Sequence, residues 1–244
     1  MSFRLRVLGC GLWVVGFAVA AFFPAQQRLG AAGHVVTFRA PNGAVVNGLL
    51  IEAHDRPAPA VVLVPMLGRS KDDWQAVAQR LADANINALA IDLPSSTVPA
   101  DQAALLGWHE SVTGAIAYLA TLSGDVRPGA VGVAGVSLGA NLALVAAAPD
   151  PRIRSIALVS PSLDYRGVRI ESLMTEYGGR PALLMASVHD PYAARSVRAL
   201  ARDSTGAREV RWSAIPAHGS VLLSRDADLV RSLVEWFQRT LAVQ

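Results

Sequence analysis

Cysteine and lysine are almost missing from this chain of 244 residues: Cys10 and Lys71 are the only ones. A single thiol forms no internal disulfide and no thiolate metal site. Lys71 is followed by Asp72, so no glycine-rich loop ends in the Gly-Lys-Ser/Thr that a phosphate-cradling loop requires. Acidic residues are absent before Glu52, whereas Arg4, Arg6, Arg28 and Arg39 stand in that stretch, the first three of them within residues 1–32. Those three arginines equal the whole formal excess, 22 basic residues against 19 acidic. The basic balance therefore belongs to the front of the chain, which excludes a nucleic-acid face spread over the body. Internal repeats and low-complexity tracts are also missing.

Long apolar runs are confined to the N-terminus. After Arg4 and Arg6, no charge interrupts Val7 to Phe23. Positive charge ahead of such a run reads as a secretory signal or an uncleaved membrane anchor, in preference to a buried core helix. Ala18-Val19-Ala20 offers a small-x-small cleavage pattern and Gly30-Ala31-Ala32 a later one. The run is 17 residues long, at the short end of what spans a bilayer. Cys10 precedes most of the apolar stretch, which does not suit a lipoprotein site. Residues 1–32 are thus expected to be a signal peptide or anchor. Residues 33–244 would then be exported: secreted, periplasmic, or attached to the membrane through residues 4–23.

What the body does have is alternation. At 52% hydrophobic content the 244-residue chain is large enough for one α/β domain with a substantial core. Val35 to Arg39 and Val45 to Glu52 flank Pro41-Asn42-Gly43 and read as an antiparallel hairpin. Further strands are expected at 60–64, 86–92, 130–136, 155–160, 182–188 and 209–215. Helices are expected at 71–84, 101–122, 138–148, 191–203 and 226–241, with an irregular stretch from 161 to 180. Fully apolar strands alternating with helices predict a mostly parallel sheet covered on both faces. Ligands of such sheets gather beyond the carboxyl ends of the strands.

At one of those ends stands Gly135-Val136-Ser137-Leu138-Gly139. A serine between two glycines, at a strand-to-helix junction, is a nucleophile elbow. Side chains two residues before and after the serine would collide with neighbouring backbone, and glycine removes both collisions. A serine hydroxyl needs a base to take its proton, and the base needs a third group to orient it. Among the five histidines, only His218 follows both candidate acids, Asp190 and Asp164, which themselves follow the serine. It sits in Pro216-Ala217-His218-Gly219-Ser220, after the last strand. Asp190 is the leading acid, although Asp before Pro191 also suits a helix cap. Asp164 is its rival. The oxyanion of acyl transfer needs preorganised donors. The Leu138 N–H should be one, and Leu67 N–H the second, with Met66 as alternate. Ser70, three residues before Asp73, reads as a cap. Arg195, Arg198 and Arg202 line one helix face and read as a solvated surface.

These landmarks resemble the α/β-hydrolase family, in particular its bacterial esterase and dienelactone-hydrolase-like branch. The residues that carry the resemblance are the elbow, Leu63 to Gly68, Asp73-Trp74, Leu89 to Leu93, Ser187 to Asp190 and Ala217-His218-Gly219. It covers residues 34 to 244. It implies an α/β-hydrolase fold with a mostly parallel sheet, helices on both faces and a minimal cap between Pro161 and Arg180. It also implies Ser137 as nucleophile, Asp190 as acid and His218 as base, acting on a small-molecule ester without cofactor or metal. Two departures stand out: Pro65-Met66 where many members carry His-Gly, and Leu93 to Thr97 where many carry a Gly-x-Gly turn. An acyltransferase or peptidase with the same three residues, and a non-catalytic binding module on the same fold, are the competing readings.

Overall fold

In a computed structural model, residues 33–202 and 206–242 are described. The expected leader, residues 1–32, lies outside them. Strands β1 (His34–Arg39) and β2 (Val45–Ile51) form the predicted antiparallel hairpin. Next come β3 (Ala58–Val64), a 3₁₀ turn (Lys71–Trp74), α1 (Gln75–Asp83) and β4 (Asn87–Ile91). After α2 (Gln102–Leu106) and a second 3₁₀ turn (Gly107–His109) follow α3 (Glu110–Thr121), β5 (Val126–Val136), α4 (Leu138–Ala147) and β6 (Ile153–Val159). A small hairpin, β7 (Asp164–Tyr165) with β8 (Val168–Arg169), leads into α5 (Glu171–Tyr177). The chain closes with β9 (Ala182–Ser187), α6 (Pro191–Arg202), β10 (Arg208–Ser213), α7 (Gly219–Arg225) and α8 (Ala227–Thr240).

Eight strands make one sheet in the order β1-β2-β4-β3-β5-β6-β9-β10. Pairing is antiparallel from β1 through β4 and parallel from there on. Alternation along the strands divides the core. Val62 and Val64 of β3 face one layer with Val112 and Ile116 of α3, Leu144 of α4, Met174 of α5 and Leu200 of α6. Val61 and Leu63 face the other layer, with Leu81 of α1, Leu222 of α7, and Leu233 and Phe237 of α8. Each such buried side chain contributes about 1.5–3 kcal/mol relative to exposure. Arg180 closes the far end of α4, its guanidinium donating to the carbonyls of Ala147 (2.9 Å) and Ala148 (2.8 Å), in the turn where helix carbonyls run out of intrahelical donors.

Three expectations are corrected. The stretch 161–180 is not irregular, since it holds the β7–β8 hairpin and α5. The helix expected over 101–122 breaks into two at Gly107, a residue that weakens any helix interior. A helix, α7, follows His218 where only a turn was expected. Its Leu222 and Leu223 pack into the layer beside α8. The arginine stripe of α6 lies outward as expected: its buried face is Ala193, Ala194, Val197 and Leu200, and Arg198 stacks 5.0 Å over the Trp212 ring. Among the described residues no helix is long and apolar enough to cross a membrane.

Candidate active site

Between β5 and α4 the chain turns on one residue. Ser137 has φ 53° and ψ −122°, a conformation that costs an L-residue on the order of 1–3 kcal/mol. The turn is this tight because backbone packs against backbone on both sides. A Cβ on Gly135 would lie 2.2 Å from the Gly139 carbonyl oxygen, and one on Gly139 would lie 2.3 Å from that of Pro65. The Ser137 N–H donates to the Val159 carbonyl at 2.9 Å, tying the elbow to β6.

Asp190 approaches from the end of β9 and His218 from that of β10, the last two strands of the sheet order. His218 Nε2 lies 2.9 Å from Ser137 Oγ, and its Nδ1 lies 2.5 Å from Asp190 Oδ2. A carboxylate only accepts, so Nδ1–H donates to Asp190, and Nε2 is left with a lone pair for the serine hydroxyl. Asp190 serves two roles at once. Its other oxygen, Oδ1, accepts the Ala193 N–H at 3.1 Å and caps α6. The imidazole is accessible, with 44% of its side chain exposed against 16% for Asp190. Asp164 lies elsewhere. Its carboxylate is taken up by the Gly167 N–H (2.6 Å) and Arg169 Nε (3.0 Å), which close the β7–β8 hairpin. These bonds, the backbone one first, hold its pKa below the ordinary aspartate value.

The loop after β3 supplies the third part. Arg69 N–H donates to the Met66 carbonyl at 3.2 Å and Gly68 has φ 74°, the signature of a type II turn with Leu67 and Gly68 at its centre. That turn leaves the Leu67 N–H unused. Leu138, first residue of α4, likewise has an N–H without an acceptor inside its helix. The Leu67 side chain packs against the apolar cluster that includes Leu138 and Leu142, so the two backbone donors belong to one corner of the molecule. Ser70 caps the following 3₁₀ turn as read from the sequence, its Oγ accepting the Asp72 N–H at 3.3 Å.

No family model matches the chain. The 2,6-dihydropseudooxynicotine hydrolase of Paenarthrobacter nicotinovorans is 30% identical over 115 residues, 45% of this chain and 31% of that protein. The chain thus spans about a third of the length of the curated relative it matches. A dienelactone hydrolase from Anabaena variabilis superposes with a TM-score of 0.71 at 19% identity, covering 87% of this chain and 100% of the other. An esterase from Pyrococcus furiosus superposes with a TM-score of 0.73 at 13% identity, over 87% and 94% of the two chains.

The chain has the α/β-hydrolase fold.

Within that fold, several residues that support the site carry no motif. Ser187, fully buried at the end of β9, donates to the Ile215 carbonyl (2.6 Å) and accepts the His189 N–H (3.1 Å). It thereby joins the loop of the acid to the loop of the base. Asn141, fully buried in α4, donates to the carbonyls of Ser162 (2.8 Å) and Val168 (3.0 Å) and accepts the Ser162 N–H (3.1 Å). It fastens the small cap to the elbow helix. A lone polar residue inside an apolar run is the sequence signal for both.

The two departures noted in the sequence meet at the same corner. Met66 Sδ lies 3.5 Å from the Ser220 hydroxyl, so the residue in place of a family glycine cushions the loop that carries His218. Leu93 and Val98 pack with Leu67 against Leu138, which makes that side of the elbow apolar. Asp73 links the same regions. Burial pushes its carboxyl up, but hydrogen bonds from Arg69 and Ser220 and the arginine charge outweigh that and leave it below the ordinary aspartate value. Among the described residues no cluster of histidine, cysteine and carboxylate side chains could hold a metal ion.

Proposed function

We propose that the chain is a serine hydrolase that cleaves small carboxylic esters through an acyl-serine intermediate. The observation that carries this is the continuous hydrogen-bonded line from Asp190 Oδ2 through the His218 ring to Ser137 Oγ, at 2.5 and 2.9 Å. Ser137 Oγ attacks the ester carbonyl carbon while His218 Nε2 takes its proton. The imidazolium so formed is stabilised by Asp190, which stays ionised. The negative oxygen is met by the N–H groups of Leu138 and Leu67. As the carbonyl re-forms, the alkoxide leaves with the proton from Nε2, and the acyl group stays on Ser137. Water then repeats the sequence and releases the acid. The names of the solved structures it resembles, an esterase and a dienelactone hydrolase, agree with ester chemistry.

A fluorophosphonate probe should label Ser137 in the purified protein and leave Ser137→Ala unlabelled. That substitution should lower turnover of p-nitrophenyl esters on the order of 10⁶-fold. Folded wild-type protein that takes up no label would end the proposal.

Export belongs to the same reading. It rests on Arg4, Arg6 and the uncharged stretch from Val7 to Phe23. Fusion of residues 1–32 to a reporter that is active only outside the cytoplasm should give activity, and an inactive, cytoplasmic fusion would overturn it.

A further inference from the structure

We propose that Ser160 is a positioning residue whose hydroxyl fixes the loop of His218 against Ser137. The proposal rests on the reading of His218 as the base. Ser160 follows β6 directly, is 1% exposed and has φ 50°. Glycine would adopt that backbone freely, whereas serine is strained in it. A strained residue persists where its surroundings use it. What they use is the hydroxyl: Ser160 Oγ accepts the N–H of Gly219 at 3.1 Å, in a buried bond.

Gly219 adjoins the base and is wedged in place. Its φ is 58°, and a Cβ there would meet Met66 Sδ at 2.8 Å and the Ser137 Cβ at 3.9 Å. On its other side the Ser160 N–H donates to Met185 of β9 at 2.8 Å, the strand that leads to Asp190. The preceding carbonyl, of Val159, accepts the Ser137 N–H at 2.9 Å. Residues 159 and 160 therefore touch the nucleophile, the acid's strand and the base's loop together. Because nearly half of the His218 side chain is exposed, packing alone does little to aim it. Its orientation comes from Asp190 and from the backbone that Ser160 holds.

Two substitutions separate this role from packing or strain. Ser160→Ala removes the hydroxyl and keeps the strained backbone. Ser160→Gly removes the hydroxyl and relieves the strain, so the pair separates the lost hydrogen bond from the backbone conformation. Both should lower kcat for a p-nitrophenyl ester on the order of 10²-fold with KM unchanged, the usual effect of a small misplacement at the reacting atoms. Recovery of wild-type kcat in Ser160→Gly would overturn the proposal, because it would make the effect one of backbone strain. A second measurement does not depend on turnover. The low-field Nδ1–H proton resonance of His218 in the wild type should weaken in both variants. A resonance unchanged in both would overturn the proposal even if wild-type protein hydrolysed no ester, an outcome that would instead count against the hydrolase reading.

Discussion

At the scale of the residue, the elbow holds because two glycines let backbone touch backbone. The two clashes that a methyl group would create differ in kind from the one at Gly219. At Gly139 the opposing atoms are the carbonyls of Pro65 and Val64, at 2.3 and 2.5 Å from an added Cβ. They belong to β3 and its loop and cannot rotate away. Gly139→Ala should therefore cost about 1–3 kcal/mol as an overpacked core site and displace the Leu67 turn as well. Ester turnover should fall far more than the urea midpoint. Full activity in that variant would contradict the placement of Leu67 beside the elbow. At Gly219 the opposing atom is the Met66 thioether, the end of a flexible side chain. Gly219→Ala should accordingly lose less, and Met66→Ala in the same chain should restore part of the activity. Strictly additive losses in the double variant would show that the two residues do not press on each other.

At the scale of the element, one buried amide ties the cap to the elbow helix. Asn141 satisfies the Ser162 N–H and two carbonyls with its single side chain. Asn141→Ala would leave these buried groups without partners, a loss of about 1–3 kcal/mol for each group. Limited proteolysis should then cut within 161–177 before the sheet unfolds, and a cutting pattern like the wild type's would rule this out. Much of the architecture was legible because the inner strands β3, β4, β6 and β9 are largely apolar and the elbow has a fixed spacing. What escaped did so for local reasons. Helix α5 and its N-cap carry Ile170, Leu173, Met174 and Tyr177 at helical spacing, but the seven residues of the helix fall below the length at which periodicity speaks clearly. Helix α7 starts at Gly219, an opening that reads as a turn until Leu222 and Leu223 are seen packed against the second layer. Pro128-Gly129 hid the first turn of β5, which begins at Val126 with a register shift. Ser137, Asp190 and His218 could be ordered along the chain from sequence alone. The hydroxyls of Ser160 and Ser187 could not, since their partners lie 59 and 28 residues away.

At the scale of the whole molecule, carboxylates held below their ordinary value couple stability to pH; besides the exposed Asp164, Asp73 and Asp150 are the partly buried ones. Asp73 is held below the ordinary aspartate value because Arg69, Ser220 and the arginine charge outweigh its burial. Asp150 is held down by hydrogen bonds from Arg152, with burial opposing. In each case the folded state binds protons less readily than the unfolded chain. Their contribution is therefore complete above the unfolded aspartate value, about 3.9, and is lost as pH falls through the lowered folded values. The thermal midpoint should stay level from neutral pH to about pH 5 and decline below about pH 4. Asp73→Asn should lower the midpoint at neutral pH and flatten the acid decline, because the variant has no carboxylate left to protonate there. Calorimetry of the wild type and of Asp73→Asn across pH 3 to 8 would test this, and an equal acid decline of the two midpoints would show that Asp73 carries none of the coupling.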